Sequence, residues 1–264
     1  MNKKTVAIIE FIKNIYPDYS KDKILSLILC KNVYINGELF TDPKAKINAD
    51  SELKFKFDKF VSRGGYKLEK ALKYFNIDVK DKVILDAGSS TGGFTDCLLQ
   101  NGAKLVHSVD VGYNQIDYSL RIDHRVILHE KTNIMALDKL NPVPDFAVSD
   151  LSFRSIRKAG RHILDLTSGH LAVSLIKPQF EIPHEVPYLE YNFNGVIKSE
   201  ELLYKTMESV YDILAEDNVA VLGITSSPIK GLKGNKEYLV LLSYKNSVAC
   251  SLSKEQYMSL LYET

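Results

Sequence analysis

The fold is decided by the stretch Val83-Ile84-Leu85-Asp86-Ala87-Gly88-Ser89-Ser90-Thr91-Gly92-Gly93-Phe94. Its apolar beginning is typical of a buried strand, and the residues that follow, 95–100, predict a helix. Glycines at positions 88, 92 and 93 allow the backbone to pass close to a ligand. Because the first N–H groups of a helix lack partners within it, a strand end beside a helix start forms a crevice that suits a small polar cofactor.

The acidic residues near this turn narrow the choice of cofactor. Asp110 follows the next apolar run, at the position where doubly wound proteins hold ribose hydroxyls, and this spacing alone would fit a dinucleotide. The turn, however, lacks the Gly-x-Gly-x-x-Gly pattern that packs a pyrophosphate, and the Asp86 carboxylate would repel phosphates. A cationic, phosphate-free ligand such as S-adenosylmethionine fits these features. A glycine-rich turn that binds no ligand is the alternative.

Composition indicates an ordinary globular protein. The 264 residues, 45% hydrophobic and 25% charged, are enough for one large domain and one small one. A net charge of +1 gives no general attraction to nucleic acids, so such a surface must be a local patch. Cys30, Cys97 and Cys250 have no metal-ligand spacing and are typical of thiols in a reducing compartment. With no signal peptide and no apolar run of about 18 residues, we expect a cytoplasmic protein without a membrane partner.

Residues 1–62 are expected to form a small α+β module. Two apolar helices, one beginning near Val6 and one over 22–30, precede an alternating stretch, 32–38, whose Asn-Gly pair is a strong hairpin signal. The partner strand is expected over 52–57. Helices followed by Val-x-Ile-Asn-Gly resemble the RNA-binding module first described in ribosomal small-subunit protein four. The module has no arginine and a net charge of +3, so lysines would contact phosphates; a folded cap without RNA contacts is the alternative.

Residues 63–264 alternate predicted strands and helices. This pattern predicts a mostly parallel, seven-stranded sheet with helices on both faces, and ligands of such sheets bind outside the carboxyl ends of the strands. Asp86, Asp110, Asp150 and Lys177 each come at the end of a predicted strand. We therefore expect these four side chains at one edge of the sheet.

Two lysines and two carboxylates are expected to meet at that edge. Glu237 begins the last strand and Lys67 lies on the helix before the first, so both can join Asp150 and Lys177. Such groups can orient one another and change one another's proton affinity. Lys177 would take the proton of a ribose 2′-hydroxyl, and Asp150 would hold the reactants in line. A network of ion pairs that only ties strands together is the alternative.

Six ordered blocks of sequence carry a family resemblance. They are Ser-Arg-Gly-Gly-Tyr-Lys-Leu (62–68), Leu-Asp-Ala-Gly-Ser-Ser-Thr-Gly-Gly-Phe-Thr-Asp (85–96), Val-Asp-Val-Gly-Tyr-Asn-Gln (109–115), Asp-Leu-Ser-Phe (150–153), Ile-Lys-Pro-Gln-Phe-Glu (176–181) and Lys-Gly-Asn-Lys-Glu-Tyr (233–238). Together they resemble the TlyA family of rRNA 2′-O-ribose methyltransferases, which have an FtsJ-like catalytic domain and are often labelled haemolysins. The resemblance covers nearly the whole chain and implies an α/β, Rossmann-like methyltransferase fold.

The resemblance also implies candidate site residues. The Lys-Asp-Lys-Glu tetrad of the family maps onto Lys67, Asp150, Lys177 and Glu237 as catalytic residues. Its S-adenosylmethionine loop maps onto Asp86, Gly88, Ser89, Ser90, Thr91, Gly92 and Gly93, together with Asp110. The implied activity is methylation of cytidine riboses in ribosomal RNA, in one or both ribosomal subunits.

Three features depart from the family pattern, and two other functions stay open. The departures are the arginine-free module, the tyrosine-rich loop over 187–193 and Lys198, where relatives commonly carry arginine; they concern the RNA target and not the cofactor pocket. An RNA-binding or ribosome-assembly factor with a vestigial methyltransferase domain would need a broken tetrad or an occluded pocket. A haemolysin in the literal sense would need a long apolar or amphipathic membrane segment, and the sequence contains no such segment.

Overall fold

A computed structural model of the chain describes residues 5–56, 58–151, 155–183, 193–247 and 251–263. Some of the features predicted from the sequence lie outside these ranges. They are Phe57 at the end of the expected partner strand, Ser152 and Phe153 of the fourth block, residues 187–192 of the tyrosine-rich loop, and Cys250.

The amino-terminal part contains two short helices and two small sheets. In chain order its elements are β1 (Thr5–Ala7), α1 (Ile8–Ile15), α2 (Lys21–Leu29), β2 (Val33–Ile35), β3 (Glu38–Phe40), β4 (Lys46–Asn48) and β5 (Leu53–Phe55). β2 pairs antiparallel with β3 and with β5. The predicted hairpin is confirmed, because Asn36 and Gly37 have φ of 51° and 86°, as a type I′ turn requires. The inclusion of Val6 in the first helix is wrong, since Val6 pairs with Ile47 between β1 and β4.

The rest of the chain alternates strands and helices, as predicted. Its elements are α3 (Gly64–Tyr74), β6 (Val83–Ala87), α4 (Gly93–Gln100), β7 (Leu105–Val109), α5 (Tyr118–Arg121), β8 (Val126–His129), β9 (Phe146–Ser149), α6 (Ile156–Asp165), β10 (Leu171–Ile176), α7 (Glu200–Glu216), β11 (Val219–Ser226), β12 (Tyr238–Tyr244) and α8 (Lys254–Glu263).

These strands form one seven-stranded sheet in the order β11-β12-β10-β9-β6-β7-β8. The pairs from β10 through β8 are parallel, and β12 is antiparallel to both of its neighbours. The chain moves outward from β6 through β7 to β8 and then returns to β9 on the other side of β6. This reversal of strand order creates the crevice in which such folds bind ligands. The predicted mostly parallel, Rossmann-like sheet is confirmed.

Apolar side chains cover both faces of the sheet. On one face, α3 and α4 pack through Leu68 and Leu98. On the other face, α6, α7 and α8 pack through Ile163, Val210 and Tyr257. The helices expected on both faces are therefore present, and the strand ends between these two layers are left to form the site.

The amino-terminal part has a separate apolar cluster that includes Ile12, Ile28 and Val33. Phe60 and Val61, just before the expected boundary at residue 62, pack instead with the cluster that contains α3 and α4. The division of the chain into a module over 1–62 and a domain over 63–264 stays a prediction.

The sequence predicts the helix that carries Lys67 over 66–75, but α3 begins two residues earlier, at Gly64, because its glycines lie inside the first turn and not ahead of it. A Cβ on Gly65 would overlap the ring of Phe60, and a Cβ on Gly93 would lie 2.9 Å from the Gly65 nitrogen. The absence of side chains at these positions lets the N-terminal ends of α3 and α4 pack closely. As a result, α3 places Lys67 beside the glycine-rich turn between β6 and α4, residues 88–93, here called the glycine turn.

Candidate active site

Four side chains from different parts of the fold line one cavity of about 560 Å³. Lys67 comes from α3, Asp150 follows β9, Lys177 follows β10 and Glu237 precedes β12. Because β12 is antiparallel to β10, its first residues lie at the same edge as the last residues of β9 and β10. The turn between β6 and α4 lines the same cavity through Gly88, Ser89, Ser90, Thr91 and Gly93.

The four side chains form two ion pairs. Lys67 Nζ lies 2.6 Å from Glu237 Oε2, and Lys177 Nζ lies 2.5 Å from Asp150 Oδ1. The side chains are 12% and 3% exposed in the first pair and 12% and 23% exposed in the second. The Lys67 amine donates a charge-assisted hydrogen bond to Glu237, whereas Lys177 and Asp150 form an ion pair. The pair formed by Lys177 and Asp150 is the more accessible to a substrate.

The loop before β12 determines the position of Glu237. A Cβ on Gly231 would overlap Glu237 Oε1, so a side chain at residue 231 would displace the carboxylate from its present position. The loop is closed by hydrogen bonds that Gly231 N donates to Asn235 O at 2.9 Å and Ser227 N donates to Glu237 O at 2.7 Å. The backbone of this loop thus fixes the carboxylate where it meets Lys67.

The glycine turn also borders a second cavity, of about 370 Å³. Gly88, Ser90 and Asp150 line both cavities, whereas Asp110 lines the second. The Asp110 carboxylate accepts hydrogen bonds from Ser90 N at 2.8 Å and from Gly112 N at 2.7 Å. Gly88 has a φ of +87°, and a Cβ there would lie 2.6 Å from the Asp150 carbonyl oxygen. The two cavities therefore meet at this turn, where the close approach of Gly88 to the Asp150 backbone leaves no room for a side chain at residue 88.

Two of the predicted cofactor residues, both within the described ranges, line neither cavity. Asp86 is the penultimate residue of β6 and is completely buried, and its Oδ2 accepts a hydrogen bond from Thr95 Oγ1 at 2.6 Å. Gly92, with φ of +93°, faces α5, where a Cβ would overlap Leu120. The strand continues through Ala87, and side chains alternate between the two faces of a strand. The Asp86 side chain therefore points toward α4 and not toward the edge of the sheet where the two cavities lie.

Burial raises the pKa of Asp86 to about 7, although the hydrogen bond from Thr95 acts against this shift. The stability that this group contributes is fully present below about pH 4, the unfolded pKa, and is lost as the pH rises through about 7, because the folded protein retains a proton that the unfolded chain releases. We expect Asp86→Asn to remove this loss. Unfolding free energies would be measured by urea denaturation. The difference between the variant and the wild type should increase by about 3 kcal/mol in favour of the variant as the pH rises from about 5 to about 8.

The exposed Asp58 provides the control for this experiment, because Asp58→Asn removes the same charge without a buried site. Its unfolding free energy should follow the wild type at both pH values. Identical pH dependence in Asp86→Asn and in the wild type would show that Asp86 is ionised in the folded protein.

Several cavity residues were not identified as site residues from the sequence. Arg63, Gln179 and Phe180 line the first cavity, and Thr132 and Asn133 line the second. Arg63, Gln179 and Phe180 belong to the blocks over 62–68 and 176–181. Their nearness in sequence to Lys67 and Lys177 is a signal by which they could be assigned to the site. Thr132 and Asn133 follow β8 without a motif, and only the pairing of β7 with β8 brings them to Asp110.

A buried carboxylate anchors the segment that carries Lys177 and Gln179. Glu181 is 2% exposed, and its Oε1 accepts a hydrogen bond from Ile156 N at 2.8 Å. Its Oε2 accepts hydrogen bonds from Ser155 Oγ and Arg157 Nε. These contacts fasten the short 3-10 turn after Lys177 to the start of α6, although burial raises the pKa of Glu181.

Comparison with known proteins identifies the family of this chain. Residues 60–244, which are more than half of the chain, match the family described as FtsJ-like methyltransferase. The chain belongs to the FtsJ-like methyltransferase family. This FtsJ-like methyltransferase is 40% identical to Hemolysin A of Brachyspira hyodysenteriae over 225 residues, a match that covers 83% of this chain and 92% of that protein.

Two further relatives confirm the resemblance to the TlyA family. The FtsJ-like methyltransferase is 34% identical over 238 residues to the 16S/23S rRNA (cytidine-2′-O)-methyltransferase TlyA of Mycobacterium tuberculosis, covering 88% of this chain and 87% of that one. A solved structure from Streptococcus thermophilus, named as a hemolysin, superimposes with a TM-score of 0.71 at 32% identity and covers 99% of this chain and 96% of its own. Across the described ranges, no helix combines the length and the apolar character needed to cross a membrane.

Proposed function

We propose that this FtsJ-like methyltransferase uses S-adenosylmethionine to methylate the 2′-hydroxyl of a cytidine ribose in ribosomal RNA. The observation that carries the proposal is the meeting of Lys67, Asp150, Lys177 and Glu237 around one cavity beside the glycine turn. The substrate class is supported by the relative from Mycobacterium tuberculosis, whose name specifies rRNA and cytidine 2′-O-methylation.

The two ion pairs would divide the catalytic work. In its neutral form, Lys177 would accept the proton of the 2′-hydroxyl at Nζ, because its pair is the more accessible one, and the ammonium formed in this step would pair with Asp150 at 2.5 Å. Lys67 and Glu237, 2.6 Å apart and nearly buried, would supply fixed charges that position the ribose. Holding the hydroxyl in line for displacement supplies much of the acceleration in a reaction of this kind.

The glycine turn and Asp110 would hold the cofactor. S-adenosylmethionine would supply the methyl group as part of a sulfonium. Asp110 would accept hydrogen bonds from ribose hydroxyls, because each of its oxygens has a second lone pair beside the one that binds a backbone N–H. The turn over residues 88–91, which lines the cavity, and the first turn of α4, which has no side-chain cap, suit close approach of a ligand that carries a carboxylate. Asp86 lines neither cavity and, with its pKa raised to about 7 by burial, would contribute little to binding of a cationic ligand.

The module over residues 1–62 would contact RNA of a ribosomal subunit. Lys23 Nζ lies 3.6 Å from the centroid of the Tyr19 ring, and Lys56 Nζ lies 4.2 Å from that of Tyr34. Tyr16 stacks on Tyr19 with the ring centroids 5.0 Å apart and is itself 37% exposed. Amines next to accessible rings are typical of surfaces that bind phosphates and unstacked bases. Such a substrate would place the protein in the cytoplasm.

Methyl transfer from radiolabelled S-adenosylmethionine to purified ribosomal subunits tests the proposal. Subunits from cells that lack the gene should gain 2′-O-methyl groups at one or a few riboses, mapped as positions that resist alkaline hydrolysis. Subunits from cells that retain the gene provide the control and should accept little label. No transfer to either subunit, together with no S-adenosylmethionine binding in a calorimetric titration, would favour an RNA-binding or assembly factor.

A further inference from the structure

A third cavity, of about 330 Å³, lies next to the catalytic one. Its walls come from Pro178 and from residues in the segments over 196–203 and 230–236. Pro178 stands between Lys177 and Gln179, which line the catalytic cavity, and Gly231 of the loop lines that cavity as well. The third cavity, here called the basic groove, therefore borders the catalytic cavity next to Lys177 and Gly231.

The basic groove concentrates positive charge. Lys198, Lys230 and Lys236 line it, and Lys233 lies exposed in the same loop. None of these four lysines forms a salt bridge within the described part of the chain. Among the described residues that line the groove, Glu200 supplies the one carboxylate, so these residues have a net charge of +2, whereas the whole chain has only +1. Unpaired like charges repel one another, and binding of an anion would relieve this repulsion.

The walls of the basic groove are held together by a buried side chain. Asn235 is 3% exposed, and its Oδ1 accepts a hydrogen bond from Ile197 N at 3.0 Å. Its Nδ2 donates a hydrogen bond to Gly195 O at 2.9 Å. Asn235 thus joins the segment that carries Lys198 to the loop that carries Lys230 and Lys236. The backbone positions of these lysines are therefore fixed relative to the catalytic cavity.

We propose that the basic groove binds the phosphate backbone of the RNA strand adjoining the methylated nucleotide, an inference that rests on the proposed function. When a ribose reaches Lys177, its neighbouring phosphates must lie over the rim of the catalytic cavity, and the basic groove is a positive part of this rim. Lysines bind phosphates as point charges, without reading bases. The groove would thus set the affinity and register of the strand, while the tetrad carries out the chemistry.

The test compares two double variants with the same loss of charge. Lys230→Ala/Lys236→Ala removes two lysines of the groove. Lys80→Ala/Lys104→Ala removes two exposed lysines that precede β6 and β7 and so lie at the opposite edge of the sheet.

Fluorescence anisotropy would measure binding of a labelled single-stranded RNA of about 20 nucleotides in salt between about 50 and 200 mM. The groove variant should bind about tenfold more weakly at the lower salt concentration, and its log–log salt slope should fall by about 1.4, or about 0.7 for each phosphate contact. The control should match the wild type.

Methyl transfer separates this proposal from the function on which it rests. In the assay with ribosomal subunits, the groove variant should raise KM about tenfold and leave kcat unchanged, because its lysines contact the strand and not the reacting atoms. An unchanged salt slope and KM in an active enzyme would overturn the groove proposal alone. Absence of transfer by the wild type, with the salt slope still reduced in the variant, would overturn the proposed function alone. If the groove variant binds RNA as the wild type does but no longer binds phosphatidylglycerol vesicles, the ligand of the basic groove is a membrane surface and not RNA.

Discussion

Lys177→Met should lower kcat for ribose methylation by about 1,000-fold, a value within the usual range for loss of a general base. Methionine keeps the length of the side chain but has no amine to accept the 2′-hydroxyl proton. Lys177 lines the cavity that contains the tetrad and not the one that contains Asp110, so the affinity for S-adenosylmethionine should stay within about twofold of the wild type. Single-turnover methyl transfer and calorimetric titration of the cofactor would measure the two quantities.

Lys158→Met is the matched control, because Lys158 is exposed on α6 and its loss changes the net charge equally. This variant should retain full activity. The melting temperatures of both variants should be compared with that of the wild type, so that a loss of folded protein is not read as a loss of chemistry. A kcat for Lys177→Met within about threefold of the wild type would exclude Lys177 as the proton acceptor.

The sheet could be predicted from the sequence because its signals are local. Each central strand is a short apolar run, and the turn that follows each strand is marked by glycine or a charged residue. The two misplaced elements depend on contacts that are distant in sequence. β1 exists because Val6 pairs with Ile47, and the early start of α3 depends on Gly65 packing against Phe60 and Gly93. Neither contact leaves a periodic pattern in the residues around Val6 or Gly65.

The site was predictable where strand ends determine it. Asp110, Asp150 and Lys177 directly follow parallel strands, so strand order alone brings them to one edge. Asp86 shows the limit of this reasoning, because one more residue in β6 turns its side chain away from that edge. Thr132 and Asn133 show a second limit, since they reach the cavity beside Asp110 only through the pairing of β8 with β7.

Gly88→Ala should weaken binding of S-adenosylmethionine by about 100-fold or more, which corresponds to about 2.7 kcal/mol. The new Cβ would lie 2.6 Å from the Asp150 carbonyl oxygen and 3.0 Å from its carbon, and both are backbone atoms that cannot rotate away. The turn must therefore move, and because Gly88 and Asp150 line both cavities, its movement changes the cofactor pocket and the tetrad together. Calorimetric titration would measure the affinity, and methyl transfer should fall with it.

Gly37→Ala separates this steric effect from backbone strain. Gly37 has a φ of +86°, close to the +87° of Gly88, but a Cβ there would meet nothing within 4 Å. Each substitution puts a side chain in a left-handed conformation, at a cost of about 1–2 kcal/mol in unfolding free energy. Gly37→Ala should therefore lose stability while it binds S-adenosylmethionine normally, because its turn joins β2 to β3 in the amino-terminal part. Wild-type affinity in a folded Gly88→Ala variant would mean that the cofactor does not pass over the glycine turn, and the assignment of Ser89, Ser90 and Thr91 to its binding would then have no support.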